Sequence, residues 1–158
     1  MKVLVVYYSR DGSTRKVAER LREALGSDIE EITEPRGRGG PLGWLRSGKE
    51  GGGGIVVPIN PTKADHSAYD LVAIGTHIWA WNVSSPVRSY MVAVKAKLPK
   101  VAFFCCMDNK PGDTFKVMET LAGKPPVATA EFKRGEVKSG AFEERVKKLA
   151  DSIKSATA

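Results

Sequence analysis

The sequence is poor in the residues that build covalent or metal frameworks. Among 158 residues it has two cysteines and two histidines. Cys105 and Cys106 are adjacent, so they cannot staple distant parts of the chain, and neighbouring cysteines close only a strained bridge. A disulfide scaffold is excluded, and a reducing compartment fits. His66 and His77 are isolated and lack metal-site spacing, so no metal is expected, and His66 reads as a surface residue. No Ser-His-Asp arrangement is legible. No apolar run is long enough to span a bilayer, so membrane insertion is not expected. A single Lys2 precedes a strand-like run where a secretory leader would need its apolar core, and the expected location is cytoplasmic. The net charge is +7, yet the lysines and arginines are scattered and no basic run is interleaved with aromatics. That reads as a solvated surface, with no nucleic-acid partner.

What is present is an alternation of buried strands and amphipathic helices. The length suits one domain, residues 1–158, with a real core. Residues 3–8, Asp70 to Gly75 and Lys100 to Cys106 are apolar on both faces, as buried parallel strands are. Asp28 to Thr33 reads as a weak edge strand, and Pro126 to Phe132 as the last strand. Val17, Ala18, Leu21, Ala24 and Leu25 fall at helical spacing, and Gly26 follows them as a C-terminal glycine. Ser84 or Ser85 caps a second helix with Val87, Tyr90, Met91 and Val94 inward. Asp113 caps a third with Phe115, Met118 and Leu121 inward, and Phe142, Val146, Leu149 and Ile153 share one face of a closing helix. Residues 36–54 break the pattern with nine glycines. They read as a long loop holding one or two helical turns, with Trp44 either packing it down or lying over a ligand. No hairpin is evident. The alternation calls for an α/β fold with a parallel sheet covered on both faces.

Ligands of such sheets bind outside the carboxyl ends of the strands. Three exit loops carry chemistry there. Ser9 to Thr14 joins a strand to a helix start, where free N–H groups and the helix dipole favour an anion. A plain capped turn is the alternative for that loop. Thr76 to Asn82 offers flat aromatic surfaces in Trp79 and Trp81. Cys106 to Gly112 offers Asp108 and Asn109, which can bond the edge of a heterocycle. Together they suit a phosphorylated, planar cofactor. The two cysteines read as small core residues.

Ser9-Arg10-Asp11-Gly12-Ser13-Thr14 resembles the hydroxyl- and glycine-bearing loop that cradles the FMN phosphate in the flavodoxin-like superfamily. Gly75 to Val87, with Thr76-His77-Ile78-Trp79-Ala80-Trp81-Asn82 and then Ser84-Ser85-Pro86, is similar to the stretch that passes beside the isoalloxazine ring in flavodoxins and NAD(P)H:quinone oxidoreductases of that fold. The resemblance covers the chain from end to end. It implies a three-layer sandwich with a five-stranded parallel sheet in the order 2-1-3-4-5 and helices on both faces. It implies non-covalent FMN, with Ser9, Arg10, Gly12, Ser13 and Thr14 on the phosphate. Thr76, His77, Ile78, Trp79, Trp81 and Asn82 would line the ring, Trp79 as its platform, and Asp108 and Asn109 would meet the pyrimidine edge. His77 would either donate to a carbonyl of the ligand or stand exposed on its loop. The implied activity is electron transfer, as a redox carrier with a partner protein or as a reductase of quinone-type acceptors using NAD(P)H. Homo-oligomers are common among such reductases. The alternative is a module of the same fold that does not hold FMN.

Three features depart from the family pattern. Asp11 stands where a hydroxyl is usual, and a carboxylate repels a phosphate. Its side chain is expected to turn away to cap the helix, with Arg10 offsetting its charge. His77 stands where proline is common, and the chain is basic where small electron carriers of this fold are typically acidic.

Overall fold

A computed structural model describes residues 1–158. Its strands are β1 (Val3–Tyr7), β2 (Asp28–Glu31), β3 (Leu71–Trp79), β4 (Asn82–Val83), β5 (Lys100–Met107) and β6 (Thr129–Lys133). The helices are α1 (Ser13–Leu25), α2 (Gly40–Gly53), α3 (Ser85–Val94), α4 (Thr114–Ala122), α5 (Arg134–Ser139) and α6 (Glu143–Thr157). Five strands run parallel in the order β2-β1-β3-β5-β6, and β4 pairs antiparallel with the end of β3. Without the two-residue β4, this is the expected 2-1-3-4-5 order.

The alternating pleat divides the apolar side chains between two layers. Val3, Val5 and Tyr7 of β1, with Ala102, Phe104 and Cys106 of β5, face one side and pack under α1 and α6. Leu4, Val6, Val101 and Phe103 face the other, against Val87, Tyr90 and Met91 of α3 and Met118 of α4. Such double burial leaves no polar face on the central strands, which is why they read as continuous apolar runs. No helix is long and apolar enough to cross a membrane.

Several expectations need correction. Residues 40–53 form a helix and not a loose loop. Glycine disfavours helix by about 1 kcal/mol per residue, so contacts and not propensity must hold α2. Two of its glycines lie where no side chain fits: a Cβ on Gly51 would sit 2.5 Å from the Trp79 Cβ, and Gly43 crosses the Arg38 backbone equally closely. The helix is tied down by a buried ion cluster. Arg38 pairs with both oxygens of Glu34 at 2.7 Å, and also meets Glu50 at 2.6 Å. Arg46 donates to Glu50 at 3.0 Å, and the Tyr8 hydroxyl donates to Glu34 at 2.9 Å. Burial works to raise the Glu50 carboxyl, but bonds from Arg38 and Arg46 outweigh it and hold it low.

The expected loop after residue 75 is largely strand. β3 continues through Thr76 to Trp79 and turns back at once into β4, so a hairpin is present after all. Ala80 and Trp81 both have left-handed φ, 48° and 59°, the signature of a type I′ turn. His66 is not on the surface: it is 3% exposed, and its Nε2 lies 2.7 Å from the Tyr90 hydroxyl. Ser84 and Asp113 stand at the helix starts as expected, but neither side chain makes a capping bond.

Candidate functional site

The β1–α1 loop is the first wall of the site. Gly12 has φ 95°, which only glycine adopts without strain, and this turns the chain into α1. The Ser9 hydroxyl accepts from the Gly12 N–H at 3.1 Å. Asp11 accepts from the Ser13 N–H at 3.0 Å, so its carboxylate does bend back to the helix start. The charge that offsets it belongs to Arg134, whose Nε lies 2.8 Å from Asp11 Oδ2. That N–H is not aimed at the oxygen, which makes the contact an ion pair and not a hydrogen bond. Arg10, the expected partner, pairs with no carboxylate. Burial works to raise the Asp11 carboxyl; the Ser13 N–H and the nearby positive groups outweigh it and hold it below the usual range.

Arg134 also reaches Asp108 of the third loop, Nη1 to Oδ1 at 3.2 Å. It therefore joins the first and third loops across the carboxyl ends of β1 and β5. Two cavities open there. One, about 500 Å³, is walled by Tyr8 to Asp11, Arg38 to Gly40, His77 and Arg134. The other, about 430 Å³, is walled by Trp44 and Ser47 of α2, the hairpin from His77 to Trp81, Met107 to Lys110, Arg10 and Arg134. Arg10, His77 and Arg134 line both, so the two form one groove with a cationic end and an aromatic end. A third cavity of about 540 Å³ runs along β6 and α6, where no buried side chain lacks a partner.

The groove gathers most of the expected residues. Ser9 and Arg10 sit at one end, and Ile78, Trp79, Trp81, Asp108 and Asn109 at the other, with His77 between. Ser13 and Thr14 are buried at the head of α1, beside the Gly12 turn. Thr76 and Asn82 are not in either cavity. The Thr76 hydroxyl bonds Ser84 and its own chain, and the Asn82 carboxamide accepts from the Val83 N–H at 2.8 Å and from Arg88.

Of the two tryptophans expected to line the ring, Trp79 does not stand open as its platform. Trp79 is 5% exposed: the Arg38 guanidinium lies 4.5 Å from its ring centroid and Tyr8 meets it edge-on. It is held as part of the wall and not as an open platform. Trp81, at the turn, is 69% exposed, and Trp44 on α2 is 63% exposed; both line the aromatic end. Both cysteines are buried, and burial pushes the Cys106 thiol up to about 12, so neither is a thiolate near neutral pH.

Arg38 and Arg134 were not singled out by sequence. Arg38 carries a faint signal, a cation four residues after Glu34 in a glycine-rich stretch. Arg134 follows the last strand, where an exit loop reaches the ligand edge of such a sheet.

The sequence matches no protein-family model and no curated protein. Solved structures do match. The flavoprotein from Lactobacillus acidophilus NCFM in complex with FMN is 22% identical with a TM-score of 0.72, over 89% of this chain and 98% of that one. The two-electron reduced flavodoxin of Megasphaera elsdenii is 18% identical with a TM-score of 0.62, over 95% and 96%. The WrbA-like flavodoxin from Agrobacterium tumefaciens is 15% identical with a TM-score of 0.56, over 98% of each chain. With its parallel sheet and these matches over 89% to 98% of its length, the chain has the flavodoxin-like fold.

Proposed function

We propose that the groove binds FMN without a covalent bond and that the protein serves electron transfer. The observation that carries this is where buried polar atoms lack partners. His77 Nδ1 and Trp79 Nε1 are buried and unbonded, and the buried Thr14 hydroxyl has only the Cys106 sulfur as a partner. All three lie at this one edge of the sheet, one beside the phosphate-type loop and two in the groove wall. Buried polar groups are nearly always paired, so the two unbonded nitrogens in the groove wall point to a ligand that completes them. A flavin phosphate fits the head of α1, where Ser9, Ser13, Thr14 and the helix N–H groups supply donors. A planar ring fits the aromatic end between Trp44 and Trp81, with Asp108 and Asn109 on its rim.

The flavin would supply the redox chemistry. The chain's own parts bind and orient it: Gly12 sets the loop, Arg134 holds the first and third loops together, and the hairpin fixes Trp81 at the mouth. The FMN-bound Lactobacillus protein supports the cofactor, and the flavodoxins support electron transfer. A carrier serving a redox protein and an NAD(P)H-dependent reductase of a quinone both suit the exposed mouth. An anionic donor such as a nicotinamide nucleotide suits the net charge of +7.

One observation favours the second reading, a module that does not hold FMN. Asp11 already occupies the Ser13 N–H that a phosphate would use. Purified protein decides between them. A yellow protein that releases FMN on denaturation supports the first reading, and a colourless protein that takes up none supports the second. NADPH oxidation with and without a quinone then separates reductase from carrier.

A further inference from the structure

We propose that His77 is the proton-coupling residue of this site: its imidazole takes up a proton when the bound flavin takes up electrons. The proposal rests on the FMN reading above. His77 is the one side chain lining both halves of the groove whose charge can change between pH 5 and 8. It is 8% exposed and sits near the end of β3, opposite Cys106 of β5. Neither ring nitrogen has a hydrogen-bond partner, and Nδ1 is sealed from solvent. A core histidine of the ordinary kind is satisfied, as His66 is by Tyr90.

The charges around it are nearly balanced. Arg10 and Asp11 face it from the β1–α1 loop, Asp108 from the β5–α4 loop and Arg134 from α5. Arg38, ahead of α2, lines the cationic half, and Lys110 the aromatic half. Cys106 is a neutral thiol. Burial depresses the imidazole, and the positive groups add to that, while Asp11 and Asp108 oppose it. At rest the ring is therefore neutral at pH 7. A new negative charge in contact with such a group favours its protonated form, on the order of 1–3 pH units. The step balances as follows. A two-electron donor gives two electrons to the flavin. One proton from solvent reaches the flavin, one negative charge remains, and a second proton from solvent converts His77 to imidazolium. The net charge of the groove is unchanged.

Two readouts test this on FMN-loaded protein, oxidised and then fully reduced with dithionite. The chain has only two histidines, so its proton NMR spectrum holds two imidazole sets to follow through pH 5–8. The His77 resonance is expected to titrate at higher pH in the reduced protein, and the His66 resonance to stay put. Potentiometry across the same range counts protons per two electrons. The wild type is expected to take up one more than His77→Gln between the two His77 midpoints, read at pH values where the reduced flavin of the variant is itself already anionic, since the imidazolium and the flavin shift each other's ionisation. The NMR arm needs no variant, so it decides the matter even where His77→Gln folds poorly. Flavin-loaded protein whose His77 resonance ignores reduction, or whose proton count matches the variant's, overturns the His77 role alone. A chain that binds no FMN overturns this role and the FMN reading together.

Discussion

The Asp11 carboxylate accepts the Ser13 backbone N–H at 3.0 Å while facing Arg134 at 2.8 Å. The loop that would hold a phosphate thus carries an internal anion, and the cation that neutralises it comes from the far end of the sequence. An incoming phosphate must displace or share that N–H, and it meets a charge of its own sign. We expect Asp11→Thr to bind FMN roughly tenfold more tightly than the wild type, since relief of a partly screened repulsion of about 1.4 kcal/mol is a factor of ten. Riboflavin, which lacks the phosphate, should bind both proteins alike. Equal gains for the two ligands would place the effect outside the phosphate loop.

Arg38 is the pin of α2. Its side chain is 1% exposed and lies between Glu34, Glu50 and the Trp79 face. Removing it leaves buried carboxylates unpaired, which costs about 3–5 kcal/mol in comparable pairs. Urea unfolding of Arg38→Met should show a loss of that size. Arg38→Lys should restore little of it, because an ammonium cannot match both Glu34 oxygens and cover an indole at once. Wild-type stability in Arg38→Met would mean that α2 is held some other way.

Two glycines of α2 should respond in opposite directions. Gly51→Ala drives a Cβ into the Trp79 backbone and should destabilise by about 1–3 kcal/mol, lifting α2 from the hairpin. Gly48→Ala meets nothing within 4 Å and should stabilise by up to about 1 kcal/mol through helix propensity. Denaturant midpoints of the two variants read the difference directly.

The stability of the ligand-free protein should fall as pH drops through about 6.5. Burial depresses both His66 and His77 in the folded chain. Below the unfolded value the unfolded chain binds more protons, so stability rises with pH through that window and is lost on acidification. Asp11 and Glu50, held low in the folded chain, begin to lose their contribution only at lower pH, below the ordinary carboxylate values. Urea midpoints at pH 7.5 and 5.5 should differ in the wild type and converge in the double variant His66→Gln, His77→Gln.

The parallel sheet was legible because its signal is local and redundant. Val3 to Tyr7, Leu71 to Ile74 and Val101 to Cys106 are apolar on both faces, and Gly26 ends α1 as a C-cap, with its N–H bonded to the Arg22 and Glu23 carbonyls. The site was legible as three loops, since fold topology brings strand exits together. Its details depend on contacts that no local pattern records. Ala80 and Trp81 adopt left-handed φ without the Asn or Gly that announces a tight turn, so no local pattern marks the hairpin or the burial of Trp79 that follows from it. The glycines of α2 argue against a helix until the Arg38 cluster is seen. Asp11 stands out in its loop by sequence alone, but its partner Arg134 lies 123 positions away and only the folded chain pairs them.

The central claim is that this groove holds FMN. Titrating ligand-free protein into FMN and following flavin fluorescence and absorbance tests it most directly. We expect saturation at one FMN per chain, with spectral changes that place the ring against tryptophan, and weaker binding when Thr14 is replaced by valine. Unaltered FMN spectra in the presence of excess folded protein would contradict the claim.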